Sequence, residues 1–129
     1  MSNFQIDQTN TTPSISGSRE TSSFEIRGKC YPEDTPKFFN PFIFWLKEYL
    51  AIDASELTAT FDIQYFNSSS SKFFFDIFDM LDEARQNGHK IIINWEYAAE
   101  NESSQEAGED FIEDFEAMTI NLVVKGQTL

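Results

Sequence analysis

The residues best placed to do chemistry lie between Tyr65 and Lys72, in the run Tyr-Phe-Asn-Ser-Ser-Ser-Ser-Lys. An alternating apolar segment ends at Phe66, and Asn67 then leads four serines into an amphipathic stretch. Asn or Ser at a helix N-cap accepts hydrogen bonds from backbone N–H groups that have no partner within the helix. One such residue is enough for capping, so four exceed that need, although a serine-rich loop is the plain account of the others. The same place suits a phosphate. Free N–H groups and the positive end of the helix dipole stabilise added negative charge. Lys72, one turn in, adds a cationic contact. A phosphoserine carries about −1.5 to −2 charge near neutral pH and could be held there without unfolding the domain. In an interface, such a group abolishes binding by desolvation and repulsion. Ser68 is the first candidate for modification and Ser69 the second, with Asn67, Ser70 and Lys72 in support.

Other chemistry is poorly served. His89 is the one histidine and follows Asn87-Gly88 directly. A Ser-His-Asp or Cys-His site would have to use it, yet nothing in the sequence places a Ser or Cys beside it, and it reads as a turn residue. Cys30 is the one cysteine, which excludes an internal disulfide and a Cys-rich zinc site. Neither G-x-x-x-x-G-K-[ST] nor G-x-G-x-x-G occurs, and five glycines leave little for a phosphate-cradling nucleotide loop. The acids between Glu96 and Glu116 lack the calcium-loop pattern. Their helical spacing fits a solvated face, with Glu106, Asp110 and Asp114 as candidates for a partner-binding surface. No metal and no cofactor are expected.

These residues need a scaffold. Phe4/Ile6 and Phe24/Ile26 show the period of two that marks strands, with Ser14–Ser16 as a further short one. Leu57–Phe66 alternates more fully, which puts Leu57, Ala59, Phe61, Ile63 and Tyr65 on one face. Lys90–Tyr97 is more continuously apolar, as expected of an interior strand, and Thr119–Val124 forms the last strand. The first helix lies within Asp34–Leu50, starting either at Pro41 behind an Asn40 cap or at Thr35 with Pro41 inside. The second runs from about Ser69 to Gln86, with Phe74, Ile77, Phe78 and Leu81 inward and Asn87-Gly88 as its stop. The third spans roughly Ser104–Ala117, with Ala107, Phe111, Ile112 and Phe115 inward. The order is β-β-(β)-α-β-α-β-α-β. It predicts an α/β fold with a mixed sheet of about five to six strands, parallel toward the C-terminus.

The length of 129 residues suits one domain that can bury its own core. A net charge of −13, from 22 acids against 9 bases, argues against nucleic acid and against anionic membrane, both of which select basic faces. No apolar run approaches a membrane span of ~20 residues. Met1–Gln5 lacks the basic-then-apolar pattern of a secretory leader. The expected location is the cytoplasm.

Taken together, the motifs resemble the SiaC family of bacterial regulatory phosphoproteins. The shared features are Thr11-Thr12-Pro13, then Gly28–Asp34 against G-x-S-Y-P-E-[ND]. Pro41-Phe42, Trp45-Leu46 and Tyr49-Leu50 follow. Tyr65–Lys72 matches Y-F-N-[ST]-S-S, and Asn94–Tyr97 and Gly108–Phe111 complete the series. Cys30 stands where the family often has Ser, a departure that reads as packing. The resemblance covers nearly the whole chain, and residues 1–129 read as one such regulatory domain. It implies an α/β fold similar to anti-sigma-factor antagonists and a non-enzymatic switch in a partner-switching pathway. A dedicated kinase would phosphorylate the residue after Y-F-N, here Ser68, and a metal-dependent serine/threonine phosphatase would reverse it. The unphosphorylated form would bind and activate a diguanylate cyclase, promoting cyclic-di-GMP signalling and biofilm formation.

The alternative is a constitutive acidic adaptor that uses the third helix, with the serines acting only as a cap. A hydrolase built on His89 ranks last. Exposed sheet edges leave room for a homodimer.

Overall fold

The computed structural model describes residues 3–52 and 56–126. Its elements are β1 (Phe4–Ile6), β2 (Ser14–Ser18), β3 (Ser23–Cys30), α1 (Thr35–Ala51), β4 (Glu56–Phe66), α2 (Ser68–Gln86), β5 (Lys90–Ala98), α3 (Glu102–Asp114) and β6 (Thr119–Lys125). The strands form one sheet in chain order. The β1–β2 and β2–β3 pairs are antiparallel, and β3 to β6 are parallel. The α/β class, the mixed sheet and the element order agree with the sequence reading, and the short strand around Ile15 is a full member of the sheet.

The three helices cover one face. Phe42 of α1 meets Phe24 of β3, Phe74 and Phe78 of α2 meet Phe61 of β4, and Phe111 of α3 meets Trp95 of β5. Neighbouring strands joined by right-handed crossovers place every helix on the same side. The other face stays open, so β5 alternates buried with half-buried residues rather than being covered on both faces. Ion pairs span this open face. Arg27 of β3 reaches Asp62 at 3.2 Å and Glu96 at 2.8 Å, and Lys125 of β6 reaches Asp62 at 2.8 Å. Hydrogen bonding to Glu96, and next to Glu25, holds the Arg27 guanidinium further above its ordinary pKa.

α1 takes the longer of its two expected forms. Asp34 caps it by accepting from the Lys37 N–H at 3.1 Å, and Pro41 sits inside the helix. The missing Pro41 N–H leaves only the carbonyl of exposed Lys37 without its helical donor, a loss that water can offset.

One strand expectation needs correction. Tyr65 does not share the core face with Ile63. The β3–β4 register runs Gly28↔Ile63 and then Lys29↔Tyr65, so Gln64 is an extra residue in β4. An inserted residue reverses the alternation beyond it. Phe66 therefore turns inward onto Phe74, with ring centroids 5.4 Å apart, while Tyr65 is 54% exposed.

Pairing of β4 with β5 stops at Phe61↔Trp95, whereas β4 follows β3 to Cys30↔Phe66. The start of α3 satisfies the β4 carbonyls left behind. Ser104 Oγ donates to the Ile63 carbonyl and Asn101 Nδ2 to that of Gln64, both at 3.0 Å. The end of β4, and with it the start of α2, is thus fixed from both sides.

Candidate functional site

α2 begins immediately beyond β4. Asn67 is its N-cap, and its side chain accepts from the Ser70 N–H at 2.9 Å. The Asn67 N–H donates to the Cys30 carbonyl at 3.2 Å, and the Ser71 N–H donates to the Asn67 carbonyl at 3.0 Å. The amides of Ser68 and Ser69 are then the first-turn donors with no acceptor inside the helix.

The four serines have different surroundings. Ser68 and Ser69 are exposed, and Ser71 is half-buried. Ser70 is 0% exposed and its Oγ accepts from Cys30 Sγ at 3.3 Å. Burial pushes the Cys30 thiol up to about 11, with the Ser70 hydroxyl pulling the other way. Ser70 is therefore a packing residue under the site, which narrows the reachable hydroxyls.

Lys72 is exposed one turn further along and makes no ion pair among the described residues. With Ser69 and Phe73 it lines a groove of about 450 Å³ whose other wall is Glu33, Asp34, Thr35 and Pro36 at the start of α1. At the adjoining ends of β3 and β4, Tyr31 and Tyr65 form an exposed edge-to-face pair with centroids 5.7 Å apart.

The remaining candidates stand apart. Glu106, Asp110 and Asp114 are exposed on α3 and make no ion pair among the described residues. α3 itself begins at Glu102, two residues before the expected start, because Asn101 is its cap. His89 lies beyond the other end of α2 from Ser68, beside Lys47, Met80 and Glu83. The 19-residue helix that begins with Ser68 spans roughly 28 Å, so Ser68 and His89 do not pair. Among the described residues, no group of three or more His, Cys, Asp or Glu could hold a metal ion. No helix among them is long and apolar enough to cross a membrane.

Two contributors escape a reading of the sequence by periodicity. The Tyr31–Tyr65 pair depends on the extra residue in β4, which simple alternation does not show. The Arg27–Asp62–Glu96–Lys125 network joins residues far apart in sequence. Its only signal is charge at outward positions of four separate strands.

The molecule is thus an α/β domain with a serine-rich, capped helix start at the end of a central strand. Comparison with known proteins agrees with this. The chain matches the family described as SiaC family regulatory phosphoprotein over residues 6–125. It is 35% identical over 114 residues to an uncharacterized protein of Pseudomonas aeruginosa (strain UCBPP-PA14), covering 88% of this chain and 90% of the relative. The crystal structure of apo-SiaC from Pseudomonas aeruginosa is similar with a TM-score of 0.90 at 31% identity, covering 96% of this chain and 100% of that one. A structure of diguanylate cyclase SiaD in complex with its activator SiaC, from the same organism, contains a chain similar at a TM-score of 0.89 and 31% identity, covering 94% and 98%. The chain belongs to the SiaC family of regulatory phosphoproteins.

Proposed function

We propose that residues 1–129 act as one non-enzymatic, phosphorylation-controlled regulatory domain in the cytoplasm, with Ser68 as the switch. A serine/threonine kinase modifies Ser68 and a phosphatase restores it. The unmodified form binds and activates a diguanylate cyclase. The observation that carries this reading is the arrangement of the α2 start: an exposed Ser68 beside two first-turn amides, on a helix held by the Asn67 cap. Ser69 is the second choice, being exposed but turned toward the groove beneath Glu33 and Asp34. A cyclase as output partner is supported by the similar SiaC chain in the SiaD complex. Tandem mass spectrometry of the chain from its own bacterium, with phosphatases inhibited, tests the site. Phosphate at Ser68 in any growth state supports the switch. Full peptide coverage without phosphate on Ser68 or Ser69 in every growth state contradicts it.

The acidic face of α3 favours a second reading, a constitutive adaptor, because Glu106, Asp110 and Asp114 lack ion-pair partners among the described residues. Reversing those three charges would then abolish partner capture, and phosphorylation would leave it unchanged.

A further inference from the structure

Pairing of β5 with β6 runs to Ala98↔Lys125, but pairing of β5 with β4 ends at Phe61↔Trp95. Beyond that point the two central strands part, and the opening between them is a cleft of about 440 Å³. Asp62 and Gln64 of β4, Tyr97 of β5, Lys125 of β6, and Glu100 and Asn101 ahead of α3 line it. Small-molecule sites typically measure about 300–1,000 Å³. The place also suits one, because open α/β sheets bind ligands outside the carboxyl ends of their strands. Here the crevice comes from β4 leaving β5 rather than from a reversal of strand order.

Most polar groups around the cleft are already engaged. Asp62 accepts from Lys125 at 2.8 Å and from Arg27 at 3.2 Å. The Asn101 side chain accepts from the Ser104 N–H at 3.1 Å and donates to the Gln64 carbonyl at 3.0 Å. Tyr97 is different. It is only 8% exposed, yet its hydroxyl makes no hydrogen bond among the described residues. No side-chain oxygen or nitrogen sealed from solvent lacks a partner among those residues. The Tyr97 hydroxyl is therefore open, and the cleft that Tyr97 lines is where it opens. A hydroxyl so deeply placed needs a partner, and the cleft is where one can enter. Lys125 contacts Asp62 alone, which leaves part of its three-donor ammonium unused. Glu100 is exposed at the rim and makes no ion pair among the described residues.

We propose that this cleft binds a small zwitterion, an α-amino acid, with its carboxylate on the Tyr97 hydroxyl and the Lys125 ammonium and its ammonium on Glu100. Hydrogen-bond accounting carries the assignment. Inside the cleft the unused groups are donors: the Tyr97 O–H, the remaining N–H of Lys125 and the positive end of α3. The acceptors there are taken, Asp62 by two cations and the Ile63 and Gln64 carbonyls by Ser104 and Asn101. The unused acceptor with full charge is Glu100, at the rim. A ligand with a carboxylate alone would leave Glu100 unpaired beside it, and an amine alone would meet the Lys125 ammonium. The site uses no residue of α2 and stands independently of the proposed switch.

Saturation-transfer NMR of the full chain tests this, with the common L-amino acids as probes at millimolar concentration and with acetate and methylamine as the two ends alone. At least one amino acid should bind, and Tyr97→Phe and Glu100→Gln should each weaken its affinity by about tenfold. Acetate and methylamine should bind more weakly than that amino acid. Urea unfolding of Tyr97→Phe is the control for folding. A hydroxyl with no partner in the empty chain can be removed without lowering the midpoint. No binding by any amino acid overturns the proposal. Binding that both variants leave unchanged puts the ligand elsewhere and also overturns it. Acetate or methylamine bound as tightly as the amino acid reduces the cleft to a site for one charge and overturns the zwitterion. A lowered midpoint in Tyr97→Phe shows the hydroxyl bonded within the folded chain and removes the premise.

Discussion

The thiol of Cys30 at the end of β3 donates to the hydroxyl of Ser70 in the first turn of α2 at 3.3 Å, and both residues are 0% exposed. Together with the Asn67 N–H bonded to the Cys30 carbonyl, this contact fixes where α2 begins and leaves Ser68 outward. Ser70→Ala should lower stability by about 1 kcal/mol, the scale of one buried hydrogen bond, while Ser68 stays available to a kinase. Urea unfolding and site-resolved mass spectrometry read the two effects separately.

Burial of Cys30 also predicts a pH effect. The thiol is raised from 9.0 to about 11 by burial, so the folded state keeps its proton where the unfolded chain has lost it. The stabilisation is full below pH 9 and is lost as pH rises from about 9 to about 11, by on the order of 2 kcal/mol. Cys30→Ala should be less sensitive to pH across that window in chemical denaturation. At pH 8 the native thiol should resist alkylation, and the unfolded chain should react with one equivalent.

Asn67 caps α2 through the Ser70 N–H at 2.9 Å. Asn67→Ala should cost roughly 0.5–2 kcal/mol and Asn67→Ser much less, because the hydroxyl can still cap. Denaturation midpoints of the two variants check the order.

Gly108 lies where α3 meets the sheet. A Cβ there would fall 2.6 Å from Leu122 Cδ2 and 2.6 Å from Trp95 Cδ1. Ala is the better helix former by about 1 kcal/mol, yet overpacking typically costs about 1–3 kcal/mol. Gly108→Ala should therefore be neutral to destabilising, with a shift in Trp95 emission. A clear gain in stability would show that α3 can move away from the sheet.

Much of the fold is legible because burial imposes periods of two and 3.6. Leu57 to Ile63 and Phe74 to Leu81 show their inward faces directly. Asn87-Gly88 marks the end of α2 because Gly88 takes a φ of +100°, which L side chains rarely adopt. What periodicity hides are single-residue events and long-range neighbours. The extra Gln64 moves Tyr65 out and Phe66 in, and nothing local announces it. Both possible starts of α1 carry good capping residues, and the choice falls to burial of Thr35 and Phe39 in the core layer. The run Asn67–Lys72 is legible as a site, but four adjacent serines look alike until the helix turns Ser70 inward and Ser68 outward.

The central claim is that phosphate on Ser68 switches partner binding. Its most direct test is the affinity of the captured cyclase for two forms of the chain, unmodified and quantitatively phosphorylated at Ser68. The account predicts that phosphorylation weakens binding by at least about tenfold. Equal affinity for the two forms would contradict it.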